Sequence, residues 1–502
     1  MFSYDMNLRG NCSLYDYLYR CIRHDIAHGV IAPGEKLPSK RTLARHLGVS
    51  LITVEAAYEQ LAAEGYIRSR ERCGYYACDL APAARVNDNA PGNQAAPQDQ
   101  QAVSCSNPDP TASAPVNAYA PRCGMSAATP LLADFTHSTF ATQMFPYATW
   151  AKVVRRTLAD ENAASLADAA SAAGSLQLRQ AIATHLHEFR GMNVAPEQIV
   201  IGAGSQTLYQ LVVQLLGRSK TFAIETPGYP LLTRMYQQQN VNVCHIPLDE
   251  CGINMTALER SGATVAHIMP SHQFPTGVVT TAARRRELLN WARAGKQYLI
   301  EDDYDSEFRM AGRPIPPLFS IDAAERVLYI NSFAKSLGAA FRMAYLVLPP
   351  NLADRFHAQL GFYANTVSPL DQLALAHFIE QGHYERHVNR LRTHARKTQD
   401  ALVSALREAF GERVAFTGLN DGLHFTMQLN SPQSERELAA AAEAAGVCIA
   451  PLASFSKPDQ PEATARTSAA SASSPARFIL RSDSVSAEEA PAVAEALAKA
   501  WR

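Results

Sequence analysis

Polar residues of chemically useful types follow two apolar runs in the second half of the chain. The segment YLIEDDYDSEF contains Asp302 and Tyr304, and the segment NSFAKSLGAAFRMAYL contains Ser332, Lys335 and Arg342. In open α/β sheets, ligand sites form at the carboxyl ends of strands, which is where both clusters would lie. An amine beside a carboxylate can bond covalently to an aldehyde, while hydroxyl and guanidinium groups can hold a phosphate.

Two earlier segments supply further parts of such a site. In GAGSQTLYQLVVQLL, a glycine-rich turn opens a helix, so that Gly204, Ser205 and Gln206 offer N–H groups and a hydroxyl to a phosphate. In ETPGYP, Tyr229 lies in a Pro-Gly turn, from which its ring could stack on a planar ligand. A lysine amine, a carboxylate, a phosphate cradle and a stacking ring together meet the requirements of pyridoxal phosphate (PLP). Taken alone each signal is weak, because many helices begin with such a turn, an acidic cluster is more often a solvated turn, and a lone lysine in a loop is nearly always surface charge.

The elements that must position these residues alternate in type after Pro130. Short apolar runs are separated by segments of helical period, which predicts an α/β domain with a largely parallel central sheet. The runs lie at 199–201, 222–224, 298–300, 327–330 and 345–348.

The first 80 residues have a different, helical pattern. Leu14, Leu18, Cys21, Ile22 and Ile26 share one face of a predicted helix. Two further helices are predicted after the capping residues at 39 and 50, and glycines at 48 and 65 end them. Two capped helices around a tight turn predict a helix-turn-helix, and the segment 66–78 predicts two short strands that form a wing.

Composition indicates where the chain divides into domains. Residues 81–130 are rich in Ala, Pro, Asn and Gln without any period, which predicts a flexible linker, and about 456–476 is predicted to be a disordered insertion. We therefore expect one domain at 1–80 and a second at 131–502. A net charge of −1 means that any DNA-binding surface must be local.

The nine cysteines are scattered and form no CxxC pair, which favours reduced thiols over a disulfide framework or a zinc site. No window holds the run of about 18 apolar residues that a membrane span needs. The N-terminus also lacks the pattern of a signal peptide. We expect a cytoplasmic protein without a metal site.

The string PGEKLPSKRTLARHLGVSLITVEAAYEQLAAEGYI resembles the GntR-type winged helix-turn-helix, over roughly 13–78. The resemblance implies binding to double-stranded DNA, with the third helix in the major groove and the wing in the minor groove. Leu51 and Ala56 stand where the family commonly has arginine, which weakens direct guanine readout. The residues expected to meet DNA are Ser39, Lys40, Arg41, Ser50, Leu51, Thr53 and Arg70.

The remaining chain, 131–502, resembles fold-type I aminotransferases, and with its head it resembles the MocR subfamily of GntR regulators. The strings that carry this are PSHQFPTG, EDDYDSEF, SFAK…R, GSLQLRQAIATHL and IEQGHYERHVNRLR. By this resemblance Lys335 forms the Schiff base with PLP, Asp302 pairs with the ring nitrogen, Tyr304 with the ring hydroxyl, and Tyr229 stacks on the ring. The phosphate is expected to be held by Gly204, Ser205, Gln206, Ser332 and Arg342.

Three departures affect the recognition of an amino acid. Phe274 replaces the Asn of the transaminase Asn-Pro-Thr-Gly motif, and Leu231 replaces an Arg of γ-aminobutyrate sensors. The sequence register places Ile479 where aminotransferases have their carboxylate-binding Arg, so Arg477 and Arg481 are the candidates for an effector.

Two functions stay open at this point. The first is a homodimeric regulator that senses PLP, or a PLP–amine adduct, with at most residual half-transamination. The alternative is a working aminotransferase with a vestigial head.

Overall fold

The structure is a computed structural model. It describes residues 4, 6–9, 12–70, 74–80, 105–106, 131–137, 143–160, 171–310, 315–456 and 475–502.

The N-terminal head, residues 12–80, is built from three helices and a two-stranded wing. The helices are α1 (Leu14–Ala27), α2 (Lys40–Leu47) and α3 (Leu51–Ala63), and the wing strands are β1 (Ile67–Arg70) and β2 (Gly74–Ala77). One helical face of α1 packs against α3, whose Val54, Tyr58 and Leu61 are fully buried. Gly48 ends α2 in the left-handed conformation at φ 65°, which glycine adopts without a Cβ penalty. The predicted winged helix-turn-helix is confirmed.

The body is organised around a nine-stranded sheet in which the inner strands are parallel. The strand order is β3-β7-β6-β9-β10-β11-β12-β5, with β8 paired to β7; β6, β7, β9, β10 and β11 run parallel, whereas β3, β8 and β12 pair antiparallel at the margins. The strands are β3 (Cys105–Ser106), β5 (Ile199–Gly202), β6 (Thr221–Thr226), β7 (Asn242–Asp249), β8 (Gly252–Ile253), β9 (Val265–Ile268), β10 (Tyr298–Asp302), β11 (Val327–Ser332) and β12 (Ala344–Val347). The predicted parallel core is thus confirmed.

Helices cover both faces of this sheet and connect its strands. They are α4 (Tyr147–Asp160), α5 (Leu176–Arg190), α6 (Ser205–Leu216), α7 (Pro230–Gln238), α8 (Met255–Arg260), α9 (Ala282–Ala294), α10 (Leu318–Ile321), α11 (Ala334–Leu337), α12 (Pro350–Leu360), α13 (Pro369–Glu380) and α14 (His383–Phe410).

A smaller C-terminal unit packs at the end of α14. It contains the antiparallel sheet β13-β14-β17-β16 and the pair β15–β4. Its elements are β4 (Ala133–Asp134), β13 (Val414–Thr417), β14 (His424–Leu429), α15 (Glu435–Ala444), β15 (Val447–Cys448), β16 (Ala450–Pro451), β17 (Ala476–Arg481) and α16 (Ala490–Ala500).

Two expectations concern segments that the structure describes only in small part. The predicted linker 81–130 lies outside the described residues except for β3, which adds an antiparallel edge strand to the central sheet. Such pairing needs only backbone N–H and C=O groups, so no side-chain pattern announced it. The predicted insertion at about 456–476 likewise falls almost entirely outside the described residues.

The cysteines differ from the expectation of reduced thiols throughout. Cys12, Cys21, Cys78 and Cys251 are free, whereas Cys244 and Cys448 each take part in a disulfide. Both bonded residues lie in strands, where distant segments meet in space, and a search for CxxC spacing does not detect such pairs. Within the described ranges, no helix has the length and apolarity needed to cross a bilayer.

The head packs directly on helix α9 of the body. Ala282 donates its backbone N–H to the carbonyl of Glu64 at 3.0 Å and belongs to the apolar core of the head. The Glu64 side chain is buried at this contact, where it accepts hydrogen bonds from Tyr19 at 2.7 Å and from Gln60. The two domains therefore share a buried polar contact at the end of α3.

Candidate cofactor site and DNA-binding surface

The start of α6 and the guanidinium of Arg342, which lies just before β12, form a cradle at the edge of the sheet. Gly204 precedes α6 at φ 87°, and a Cβ added to it would lie 2.7 Å from Nη2 of Arg342. Arg342 donates to the carbonyl of Ala203 at 3.5 Å and is otherwise exposed. The first N–H groups of a helix carry partial positive charge, so this cradle suits a phosphate.

The remaining predicted phosphate and ring contacts surround this cradle. Ser205 begins α6 and Gln206 lies exposed beside Tyr229, whose side chain hydrogen-bonds with it. Burial raises the pKa of Tyr229, and its ring meets Phe274 edge-on at a centroid distance of 6.3 Å. Ser332 ends β11 and accepts a hydrogen bond from the N–H of Ala334 at 3.2 Å.

Asp302 ends β10 and is held by two side chains that the sequence reasoning missed. Its Oδ2 accepts from the hydroxyl of Tyr209 at 2.5 Å and lies 3.3 Å from Nε2 of His267. Tyr209 is four residues after Ser205 on α6, so helical spacing could have placed both on one face. His267 is opposite Ile300 in the parallel register of β9 and β10, which only the strand order reveals.

Lys335 lies in α11, half-buried, beside a guanidinium. The charge of Arg481 and the burial of the amine lower the pKa of Lys335 to about 8. A lysine with a lowered pKa is more often neutral near pH 7, and only the neutral amine is a nucleophile. The lowered pKa therefore makes Lys335 a better nucleophile toward a carbonyl compound near neutral pH.

The two effector candidates on β17 lie in different surroundings. Arg481 is opposite His424 in the β14–β17 register. It makes a bidentate ion pair with Asp483, through Nε at 2.9 Å and Nη2 at 2.7 Å. Arg477 lies at the other end of the strand, near Glu435 at 3.9 Å. Ile479, at the register position of the carboxylate-binding Arg, is buried in the sheet, whereas Arg481 reaches the vicinity of Lys335.

A group of buried histidines borders the site on the side of Tyr304. The Tyr304 hydroxyl lies 3.5 Å from Nδ1 of both His272 and His424, and the two imidazoles are 4.1 Å apart between centroids. His272 also contacts Oδ2 of Asp305 at 2.8 Å; burial lowers its pKa, but this carboxylate outweighs the burial and the pKa is raised.

His272, Asp305 and His424 bring ligand-type atoms within 4.8 Å of one another. Gly422 lies directly against the His272 Nδ1–Asp305 Oδ2 pair, so close that a Cβ there would collide with both atoms. The group thus reads as a hydrogen-bonded wall of the Lys335 site.

These residues fit PLP. The Gly204 cradle excludes a side chain and leaves room for a phosphate, and Asp302 presents a carboxylate from a strand end at which a ring nitrogen can be held protonated. Tyr209 and His267 would orient that carboxylate, and Lys335 would anchor the ring covalently. When bound, PLP supplies a ring that withdraws electrons from an attached amine.

The residues expected to meet DNA lie on the outer side of the head. Ser39 and Ser50 cap α2 and α3, with their hydroxyls accepting from the backbone of Thr42 at 3.1 Å and of Thr53 at 3.2 Å. Arg41 is exposed in the first turn of α2 and has no ion pair among the described residues. At the start of α3, Leu51 is 37% and Ile52 is 76% exposed, so this apolar tip is available to thymine methyl groups.

The other expected cations are partly engaged within the head. Lys40 approaches Glu55 at 3.4 Å and lies over the ring of Tyr75, while Arg70 lies over the ring of Tyr76 at 4.7 Å. Both side chains remain at the surface formed by α2 and the wing, but Lys40 would have to share its charge with Glu55.

Comparisons with known proteins agree with this architecture. A family model described as "Aminotransferase class I and II" matches residues 131–476, and one described as "Bacterial regulatory proteins, gntR family" matches residues 14–76. The HTH-type transcriptional regulator YdeL of Bacillus subtilis is 35% identical over 443 residues, which cover 88% of this chain and 89% of that protein.

Two further likenesses bear on the site. The HTH-type pyridoxine biosynthesis transcriptional regulator PdxR of Corynebacterium glutamicum is 30% identical over 412 residues, 82% of each chain. The multiple substrate aminotransferase of Thermococcus profundus superposes with a TM-score of 0.63 at 23% identity, covering 76% of this chain and 92% of that one. The latter likeness shows the fold alone.

The chain belongs to the aminotransferase class I and II family, joined to a gntR-type DNA-binding head. That combination makes it an HTH-type transcription regulator of the MocR subfamily, with a PLP-binding body.

Proposed function

We propose that PLP, alone or joined to an amine, changes the affinity of the head for a double-stranded DNA operator. The observation that carries this is the direct packing of the head on α9 of the body that holds the Lys335 site. A ligand shifts an equilibrium only through different contacts with two states, and this contact provides a place where two states can differ. The signal is PLP itself in the simplest form of the proposal, and one similar protein, PdxR, is a pyridoxine biosynthesis transcriptional regulator.

A buried arginine on α9 provides the route from the cofactor site to the head. Arg285 donates to the carbonyl of Pro270 at 3.0 Å, two residues before His272, and it lies within electrostatic range of both Glu301 and Glu64. Glu301 directly precedes Asp302 on β10. A movement of the segment 270–272 or of β10 on PLP binding would therefore change the electrostatic environment of Glu64 in the head.

The assembly and the site assignments belong to the same proposal. The chain acts as a homodimer, as fold-type I bodies usually do, and in the cytoplasm, where a DNA-binding head finds its operator. The domains extend over 1–80 and 131–502. The PLP contacts are those assigned above, from the Gly204 cradle to Lys335.

The test measures operator affinity with and without PLP. Full-length protein selects its operator from random-sequence DNA, and fluorescence anisotropy then gives Kd for that fragment. Added PLP should change Kd by about fivefold or more, the usual scale of an allosteric coupling. The Lys335→Ala variant should bind the fragment and ignore PLP, whereas equal Kd values with and without PLP in the wild type would refute the proposal.

A second experiment asks whether the α9 contact carries the coupling. The Glu64→Gln substitution keeps an acceptor for Tyr19 but removes the carboxylate that faces Arg285. We expect unchanged PLP affinity and a smaller PLP-dependent change in Kd. The exposed Glu412→Gln serves as the control, because it removes one negative charge far from this contact.

One observation favours a second candidate function, that of a working aminotransferase. Lys335, Asp302 and a guanidinium, Arg481, lie in one site, as transamination would require. Incubation with an amino acid and pyruvate decides the matter: many turnovers per site would support the enzyme, and a single half-reaction or none would support the regulator.

A further inference from the structure

The ion pair of Arg481 with Asp483 is buried beside Lys335. The side chains are 11% and 4% exposed, and the guanidinium uses Nε and Nη2 to bind both oxygens of the one carboxylate. The charge of Arg481 acts to lower the pKa values of Lys335, Tyr304 and His424, so the pair faces the interior of the site. Arg481 and Asp483 are two residues apart at the end of β17 and just beyond it, so the partner is built in locally.

A buried guanidinium beside the anchoring lysine would ordinarily bind the carboxylate of an amino acid. Here Asp483 already occupies the bidentate hydrogen-bonding position on Arg481 that a carboxylate prefers. An incoming carboxylate would either have to compete with Asp483 for these donors or lie next to it. Both are unfavourable, because two buried carboxylates would then share one guanidinium.

An uncharged polar group meets no such obstacle. Nη1 of Arg481 makes no hydrogen bond with any described residue, so its N–H groups can donate to a neutral oxygen. His424, which is opposite Arg481 in register, offers a further hydrogen-bonding group. Burial, followed by the charges of His272 and Arg481, lowers the pKa of His424 well below its ordinary value, so this ring is uncharged near pH 7.

We propose that Asp483 makes this pocket select amines that carry an uncharged polar group, such as a carboxamide, and reject α-amino acids that carry a carboxylate. The inference rests on the proposed PLP site and names the class of amine that joins the cofactor there. Arg481 then acts as a hydrogen-bond donor within a neutral pair and not as a free cation.

The experiment compares alaninamide with alanine on the PLP-loaded full-length protein. Each amine is titrated while the visible absorbance of the bound cofactor is followed, and calorimetry gives an independent binding curve. The ratio of the two half-saturation concentrations is compared between the wild type and Asp483→Asn, so differences in amine basicity cancel. The wild type should favour alaninamide, and the substitution should shift the ratio toward alanine by about tenfold or more, the scale of one charge-assisted hydrogen bond.

Glu435→Gln is the matched control. It removes the carboxylate beside Arg477 on the same strand, away from Lys335, and should leave the ratio unchanged. A folded, PLP-loaded Asp483→Asn protein with the wild-type ratio would overturn the inference, and so would a wild type that binds alanine at least as well as alaninamide.

Two outcomes separate the failure of this inference from other failures. A wild type that takes up no PLP would refute the proposed function instead. If Asp483→Asn does not fold, the wild-type ratio decides by comparison with the reaction of the two amines with free PLP in solution. A ratio equal to that reference would overturn the selection.

Discussion

The head and the body build their binding surfaces in opposite ways. The expected DNA contacts of the head lie within one short helix-turn-helix. Ser39 and Arg41 are exposed at the start of α2, and Ser50 and Leu51 at the start of α3. In the body, the groups around Lys335 come from several strands and helices separated by long stretches of chain. The head surface therefore sums small independent contacts, whereas the body site depends on every member being in place.

The largest expected effect comes from removing the member of the body site that no other group can replace. Lys335→Ala should abolish the visible absorbance of lysine-bound cofactor after PLP is added and excess is removed. The control is Lys397→Ala, which removes an exposed lysine on α14 and should retain full absorbance. If the Lys335 variant still holds reducible PLP on another lysine, the assignment is wrong.

The comparison also explains what the sequence could predict. The helices of the head, and Asp302, Tyr304 and Lys335 in the body, follow local signals: a cap, a helical period, or a strand that ends in polar residues. Tyr209 was accessible through its spacing from Ser205, although nothing in the segment marked it as a partner of Asp302.

The contacts missed were those set by strand order and chain reversal. His267 reaches Asp302 because β9 and β10 are neighbours, and His424 lies opposite Arg481 because β14 pairs with β17. Arg477 and Arg481 were both candidates from the sequence, and only the fold distinguishes them, because Arg481 lies near Lys335 while Arg477 lies beside Glu435.

The second prediction probes the phosphate cradle. Gly204→Ala forces a Cβ toward Arg342 at a backbone conformation that only glycine adopts easily, which costs about 1–3 kcal/mol. We expect PLP to bind about tenfold to a hundredfold more weakly, as measured by equilibrium titration of absorbance. Gly217→Ala is the matched control: Gly217 ends the same helix at φ 101°, but a Cβ there meets open space. It should lower the melting temperature and leave PLP affinity unchanged.

The third prediction uses the lowered pKa of Lys335. Because only the neutral amine attacks PLP, the rate of PLP incorporation should rise about tenfold per pH unit below pH 8 and level off above it. Stopped-flow absorbance on the PLP-free protein measures this. In Arg481→Met the cation that lowers this pKa is gone, so the break should move to higher pH. A break at the same pH in both proteins would contradict the assigned cause.

The smallest expected effect belongs to the head, where contacts are additive. Arg41→Ala removes one exposed cation at the start of α2, next to the cap that would face a phosphate. Loss of a phosphate contact should weaken binding to all sequences by a similar factor and reduce the slope of log K against log salt by about one. Anisotropy titrations over a salt series, on operator and random DNA, provide the measurement.

The control for Arg41 must remove the same charge elsewhere. Arg355→Ala does this on α12 of the body, where the exposed guanidinium donates to Gln359 at 3.0 Å. It should change neither the slope nor the affinity. A loss confined to the operator in Arg41→Ala would place this side chain at a base edge, and the head would then share the dependence on single residues that distinguishes the body.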